Sequence, residues 1–439
     1  MIRRPASALL VVAVALVATV AIVPSLLGDG SQAAALASPP PSTAAAAPSS
    51  APLESLEPTP TATPTPVPAT SPAGATTSPS PGPVAVELPA AALQARLDEL
   101  RAKLRLPGVS VTIILADGSS WTGTSGLADV RRKTAVEPDT AFAIASISKT
   151  YTAALILALA DEGAIDLDAR VSRYLPNLAL AGRITVRQLL DHTSGLTDYF
   201  LHPKIDKRLL ADRGHAWSAA ETLKFVRKPA FKPGKGWLYS NTNYYLLGMI
   251  AETVGGRPLA DQLRTRFLDP LELSRTYEQV AEEPRGPRAH GYRVAGSTAK
   301  PKFVDLSDKS DIVPFTSVVT AAHGAGSLAA SSGDVARWAR ALYGGDVVAD
   351  ATLAAMVADA RRTARFDPRI PYGLGVQLVP LDGHPALGHS GRLAGFRSVV
   401  RFLPVEGITI AVLTNESRQD PTRVARSLLR IVLKSMPPA

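Results

Sequence analysis

Ser146 and Lys149 stand three residues apart, where FAIASISK leads into the apolar run that ends at Leu159. That spacing puts both side chains on one face of a first helical turn. A hydroxyl there lies beside free backbone N–H groups and the positive end of the helix dipole, which favour negative charge on an attacked carbonyl oxygen. An ammonium one turn on depresses the pKa of a neighbouring base or takes a proton. The chemistry available to such a pair is acyl transfer through the serine. The spacing alone is not specific, since a chain of this length holds about one Ser-x-x-Lys by chance. Ser297-Thr298-Ala299-Lys300 repeats it in a polar stretch without helical period, which reads as a solvated loop.

Two further clusters carry groups suited to the same reaction. Tyr239-Ser240-Asn241 immediately precedes a long apolar helix, so it sits on a turn or helix start. A phenol near a cation can act as a general base, and an amide two residues on can hold a substrate amide by donating and accepting at once. The alternative is an aromatic core residue beside a helix cap. His389-Ser390-Gly391 ends a strand and is followed by Gly395-Phe396. A strand edge ending in Gly lets a substrate backbone approach and pair with it. The alternative is a hairpin end with an incidental histidine. His192 reads as a residue holding its own loop, and Lys235 and Trp237 either line a cleft or pack the approach to Tyr239.

The elements that must position these residues fall in a recognisable order. Leu93, Leu97, Leu100 and Leu104 mark an amphipathic helix ended by Pro107-Gly108, before strands Val109–Leu115 and Ser119–Gly126 around an Asp117-Gly118 hairpin signal. The middle is helical, with Asn243–Val254 closed by Gly255-Gly256 and Gly333–Leu342 after a Ser331-Ser332 cap. Strands return at Gly373–Pro380, Ala386–Ser390, Arg397–Leu403 and Ile408–Thr414, and a helix over Arg423–Leu433 finishes the chain. Strands at both ends and helices between predict an α/β (α+β) fold. In it a mostly antiparallel sheet built from both termini is flanked by helices, with a helical subdomain inserted and the Ser146 helix at the junction.

Composition limits the remaining possibilities. Met1–Arg4 is a basic start before an apolar stretch, and Ala6 to Leu27 holds 22 residues, enough for a bilayer that needs about 20. Residues 1–30 are therefore a cleaved signal or an N-terminal anchor, and both readings export the remainder. Residues 31–87 form a disordered linker, whose Pro-, Ala-, Ser- and Thr-rich stretch from Ser38 to about Pro83 reaches on the order of 140 Å if extended. Residues 88–439 are the folded domain. It is more basic than the whole chain's net +9, because residues 1–88 hold two arginines against four carboxylates. Such a charge draws an exported domain toward an anionic envelope, while the lack of a basic run or binding signature argues against nucleic acid. With no cysteine and no paired histidines, no metal or other cofactor is expected. The sequence sets no oligomeric state.

Taken together, the Ser146, Tyr239 and His389 clusters resemble the penicillin-recognising serine hydrolases. The nearest branch holds class C β-lactamases, D-alanyl-D-alanine carboxypeptidases, D-aminopeptidases and esterases. The resemblance spans nearly all of residues 90–435 and includes LLDHTSGL at Leu189–Leu196, RAHGY at Arg288–Tyr292, GAGSLAASSGDVARW at Gly324–Trp338, YGLGV at Tyr372–Val376 and VLTN at Val412–Asn415. It implies that Ser146 forms an acyl-enzyme, that Lys149 and Tyr239 exchange its proton, and that Asn241 with Lys149 orients the substrate amide. His389, Ser390 and Gly391 would line the substrate, and the backbone N–H groups of Ser146 and Arg392 would hold the oxyanion. The expected activity is a D-alanyl-D-alanine carboxypeptidase or similar D-amino-acid peptidase acting on peptidoglycan peptides. The alternatives are an esterase, a β-lactamase, or a penicillin-binding sensor without turnover. Histidine at 389 in place of lysine is a weaker carboxylate anchor, and Arg392 or Arg397 is expected to supply the missing charge.

Overall fold

The domain is held together by pairing between its two ends. The computed structural model describes residues 88–296, 301–308, 312–366 and 371–436. The expected signal or anchor, the linker and the Ser297–Lys300 repeat lie outside these residues. The helices that matter to the site are α1 (Ala90–Leu104), α2 (Ser148–Asp161), α3 (Asn241–Gly255), α4 (Ser332–Gly344) and α5 (Thr422–Ser435). A sheet contains β1 (Gly108–Ile114), β2 (Ser120–Asp129), β3 (Thr134–Ala135), β4 (Gln377–Leu378), β5 (Leu387–Leu393), β6 (Phe396–Leu403) and β7 (Ile408–Thr414). Its order is β3-β2-β1-β7-β6-β5-β4, with every neighbour antiparallel, as the sequence predicts. The first strand and the last lie side by side in the middle, with Val109 opposite Thr414.

Alternation along β1 shows how the layers form. Val109, Val111 and Ile113 turn to one face and join Leu93, Leu97 and Leu100 of α1 and Val424, Leu428, Leu429 and Val432 of α5. Those helical residues fall at the i, i+3/i+4 and i+7/i+8 spacings of one helical face, so each helix lays a single stripe on the sheet. Ser110 and Thr112 turn the other way, and both hydroxyls bond Ser332 Oγ at the start of α4, at 2.8 Å each. Beyond α4 lies α2, buried along most of its length, with Tyr151 stacked on Trp338 at 4.0 Å. A helix buried almost all round belongs in a core. The helix that follows Ser146 is thus enclosed within the inserted layer.

Some elements differ from expectation for visible reasons. Gly373–Pro380 pairs only over Gln377–Leu378, because Gly373 N–H bonds Val376 O and Gly375, at φ +82°, turns the chain before β4 begins. The sequence reading assigns nothing to Thr316–Ala322 or Asp350–Ala364, and both are helices. The first carries four β-branched residues in seven, which weakens its local signal. A short three-stranded sheet, in which Phe142–Ala143 and Tyr277–Glu278 flank Leu328–Ala330, lies just ahead of Ser146.

Asn415, which ends the VLTN stretch, is fully buried and closes the seam between the termini. Its Oδ1 accepts from Gly108 N–H at 2.7 Å, and its Nδ2 donates to Leu127 O at 3.0 Å. Asn415→Ala leaves a buried donor and a buried acceptor without this partner, so stability is expected to fall by about 2–4 kcal/mol. Urea unfolding should show a lower midpoint at an unchanged slope.

Candidate active site

Two helix N-termini converge beneath the nucleophile. Ser146 lies in a 3₁₀ turn, Ala145–Ile147, which runs directly into α2 and puts Lys149 in its first turn. Asn241 is the first residue of α3. Ala145 holds φ +51°, a left-handed conformation that costs a non-glycine residue about 1 kcal/mol and turns the chain sharply ahead of Ser146. The last strands fix this turn from the side, since Ser398 Oγ of β6 donates to Ile144 O at 2.9 Å. A Cβ at Gly391 would come within 2.4 Å of Ile144 O and 3.1 Å of Ala145 Cβ. Gly391 is therefore the residue that lets β5 lie against the nucleophile's turn.

Lys149 is fully buried, and its ammonium nitrogen has three oxygen neighbours. Nζ lies 2.9 Å from Ser146 Oγ, 2.7 Å from Asn241 Oδ1 and 2.7 Å from Ala325 O. Two of these, an amide oxygen and a backbone carbonyl, accept only. A neutral amine gives its two N–H groups to them and turns its lone pair toward Ser146 O–H. That is the arrangement of a general base on a serine nucleophile. Burial moves the Lys149 pKa down to about 7, against the opposing pull of the Asp198 carboxylate. A large fraction of the amine is therefore free near neutrality.

The Tyr239 phenol is close enough to Ser146 to interact with its hydroxyl, and Lys149 Nζ lies 5.1 Å from its ring centroid. Burial raises the phenol well above its ordinary value, and the bond to Ser146 opposes this only in part. Tyr239 therefore stays protonated, able to accept and donate at once, while Lys149 is the group here with a free lone pair.

His389 is brought to the site but not to its surface. It is fully buried, with Nε2 2.9 Å from Tyr372 Oη and Nδ1 2.7 Å from Ser390 O. A carbonyl only accepts, so Nδ1 carries the proton and Nε2 accepts from the Tyr372 hydroxyl. Burial, with the Lys149 charge adding to it, lowers the His389 pKa to about 3. The imidazole is neutral and orders the wall of the cleft. Ser390 N–H donates to Gln377 Oε1 at 3.1 Å, on the side of β5 that faces β4. Backbone groups alternate sides every residue, so Arg392 N–H faces the same edge, past the point where β4 has ended. The Arg392 and Arg397 side chains pair across β5 and β6 on the face opposite Gly391 and Ser398, so neither is brought to Ser146 as the missing positive charge.

The remaining motifs turn out to be supports. His192 is fully buried, with Nδ1 accepting from Asn243 Nδ2 at 2.9 Å and Ser240 N–H at 3.3 Å, and its ring lies 4.4 Å from that of Tyr239. Ser194 Oγ donates to Asn243 Oδ1 at 2.7 Å. The HTSG segment thus holds the first turn of α3 and the approach carrying Tyr239. Trp237 joins this aromatic group against His192 and Tyr372, while Lys235 is exposed. Three residues that touch these groups were not singled out from the sequence: Ala325, Tyr372 as the partner of His389, and Asp198. A carboxylate directly before the apolar run Tyr199–Leu201 is the signal that could have found Asp198.

Comparison with known proteins agrees with this geometry. Residues 93–433 match the family described as Beta-lactamase. Penicillin-binding protein 4 of Amycolatopsis lactamdurans is 30% identical over 345 residues, covering 73% of this chain and 84% of that protein. Among solved structures, a D-stereospecific amidohydrolase from a Streptomyces species is similar with a TM-score of 0.66 at 28% identity, covering 79% of this chain and 99% of the other. The D-amino acid amidase of Ochrobactrum anthropi, complexed with D-phenylalanine, gives 0.65 at 26% identity over the same shares.

The two neutral, buried imidazoles give the fold a pH dependence of definite sign. His389 and His192 are both held below their ordinary value, chiefly by burial, so the unfolded chain takes up protons that the folded one refuses. Their contribution is complete above about pH 6.5 and is lost as pH falls toward about 3 for His389. Each should remove about 1.4 kcal/mol of stability per pH unit within that window. Urea midpoints from pH 7 to pH 4 should fall, and should fall less steeply in His389→Gln.

Proposed function

Because this chain belongs to the Beta-lactamase family, whose members are serine hydrolases, we propose that it hydrolyses the amide bond after a D-amino acid through an acyl-enzyme on Ser146. The observation that carries this reading is the Lys149 nitrogen, 2.9 Å from Ser146 Oγ with two acceptor-only oxygens on its other sides. Ser146 Oγ attacks the substrate carbonyl and its proton passes to Lys149. The oxyanion is held by the N–H groups of Ser146 and Arg392. Tyr239 relays the proton to the departing nitrogen, the carbon–nitrogen bond breaks, and water then releases the acid.

The substrate class draws on the family's action on β-lactam or peptide substrates and on the D-selective enzymes among the similar structures. Peptidoglycan peptides ending in D-alanyl-D-alanine are the natural candidates. A neutral, buried His389 and arginines turned to the opposite face mean that these residues present no cation for a terminal carboxylate. The enzyme is therefore read as a D-amino-acid peptidase indifferent to charge on the leaving group. We place it outside the cytoplasm on the strength of residues 1–30, held through residues 31–87, which leaves the domain to meet the cell wall.

Intact-mass spectrometry of the full-length chain with a fluorescent penicillin, a D-alanyl-D-alanine peptide and a short-chain ester tests the reading. An adduct and turnover are expected in the native chain, with both lost in Ser146→Ala by about 10³-fold or more. Peptide turnover should exceed ester turnover, and amidating the peptide's C-terminus should change kcat/KM by less than about tenfold, or about 1.4 kcal/mol. A persistent penicillin adduct with no substrate turned over would identify a sensor instead.

A further inference from the structure

Asp198 is buried to 5% exposure and touches neither Ser146 nor Lys149. Its Oδ1 accepts from Phe200 N–H at 2.9 Å, and its Oδ2 accepts from Asn241 Nδ2 at 2.7 Å. The other end of the same amide, Oδ1, receives Lys149 Nζ. Asp198, Asn241 and Lys149 thus form one line of hydrogen bonds that ends at the nucleophile. Which way the amide faces decides what Lys149 can do. With Oδ1 toward Lys149, a neutral amine spends its N–H groups on Asn241 and Ala325 and keeps its lone pair for Ser146. With the amide reversed, an N–H would face the amine and draw that lone pair away from the serine.

We propose that Asp198 is a positioning residue that locks the Asn241 amide with its oxygen toward Lys149 and so aims the Lys149 lone pair at Ser146. A reversed amide would set Asn241 Oδ1 against the Asp198 carboxylate, acceptor against acceptor, within a buried site where that repulsion is little screened. The same carboxylate supplies the negative charge that keeps the Lys149 ammonium accessible once it has taken the serine proton. This inference rests on the acyl-transfer reading of Ser146, but its first test does not require turnover.

The charged and titratable groups around this line are few. Ser146 approaches Lys149 from its own element, Tyr244 and Asn241 from α3, Tyr239 from the approach to α3, His192 and Asp198 from the 191–201 loop, and His389 from β5. Tyr199 and Tyr239 are the other titratable groups electrostatically linked to Asp198. Both imidazoles are held below their ordinary values and the phenols above theirs. Asp198 is the one carboxyl among these groups; burial raises its pKa, and the donors from Phe200 and Asn241 and the Lys149 charge oppose that rise.

Full-length protein carrying lysine labelled with carbon-13 at Cε reports the Lys149 titration directly, its resonance being identified by its loss in Lys149→Met. In Asp198→Asn, which keeps the shape and can still accept from Phe200 N–H, the Lys149 midpoint should fall by about one pH unit. Asp198→Glu, which keeps the charge, should restore most of it. An unchanged midpoint in Asp198→Asn, or equal midpoints in Asn and Glu variants, overturns the proposal. The second measurement is the rate of Ser146 acylation by an activated ester in Asp198→Asn, Asn241→Ala and the pair. Each single change is expected to slow acylation about 10- to 100-fold, and the pair should be no slower than the worse single change. Losses that multiply would show that Asp198 does not act through Asn241. Absence of any adduct in the native chain would remove the acyl-transfer reading, while the titration would still decide the role of Asp198.

Discussion

The organising constraint is a lysine placed where water does not reach and no carboxylate makes contact. An ammonium in that position gives up its proton readily, because burial disfavours the charged form more than the distant Asp198 supports it. Everything near Lys149 can be understood as answering that cost. Two helix N-termini and the Ala325 carbonyl surround it, so each of its hydrogens has an acceptor in either protonation state. The neighbouring phenols and imidazoles are driven by the same burial into their uncharged forms. A single titratable amine is thereby left among neutral dipoles, with the Asp198 carboxyl one amide away.

The three loops that hold this arrangement come from distant parts of the chain. The HTSG segment fixes the start of α3 through His192 and Ser194. The GAGS segment delivers Ala325 O to Lys149, while Thr152 of α2 bonds the neighbouring Gly324 O at 2.8 Å. The YGLGV segment delivers Tyr372 to His389. A left-handed backbone recurs at Ala145, His192 and His323, each beside one of these supports. Strain at positions that set side-chain direction is tolerated when dense packing over-determines them.

Much of this was legible in the sequence, and the parts that were not share a cause. Helical period and glycine punctuation located α1, α3, α5 and the terminal strands, since each presents one apolar face. The same local signals placed Ser146 and Lys149 on one turn. The parts played by Asp198 and Ala325 and the Tyr372 contact of His389 were invisible because each depends on residues that are not neighbours in sequence. Asp198 meets Asn241 across 43 residues, Ala325 meets Lys149 across 176, and the His389 ring meets Tyr372 across 17. Residue types showed which groups were available for chemistry, but only packing showed which of their atoms were already occupied. The arginines after Gly391 make the same point, because strand alternation, and not nearness in sequence, decided which face they took.

The antiparallel neighbours of β1 include a strand made some three hundred residues later, with Gly108 and Asn415 bonded across 307 positions. The turn that carries Ser146 is likewise clamped by Ser398, 254 residues downstream. A chain emerging from the ribosome therefore possesses its nucleophile long before it possesses the wall against which that nucleophile works. Loops of such length close slowly, and they leave an apolar sheet edge uncovered meanwhile. An assembled site is in effect a certificate of completed synthesis: a truncated chain carries Ser146 but not the strand that clamps its turn.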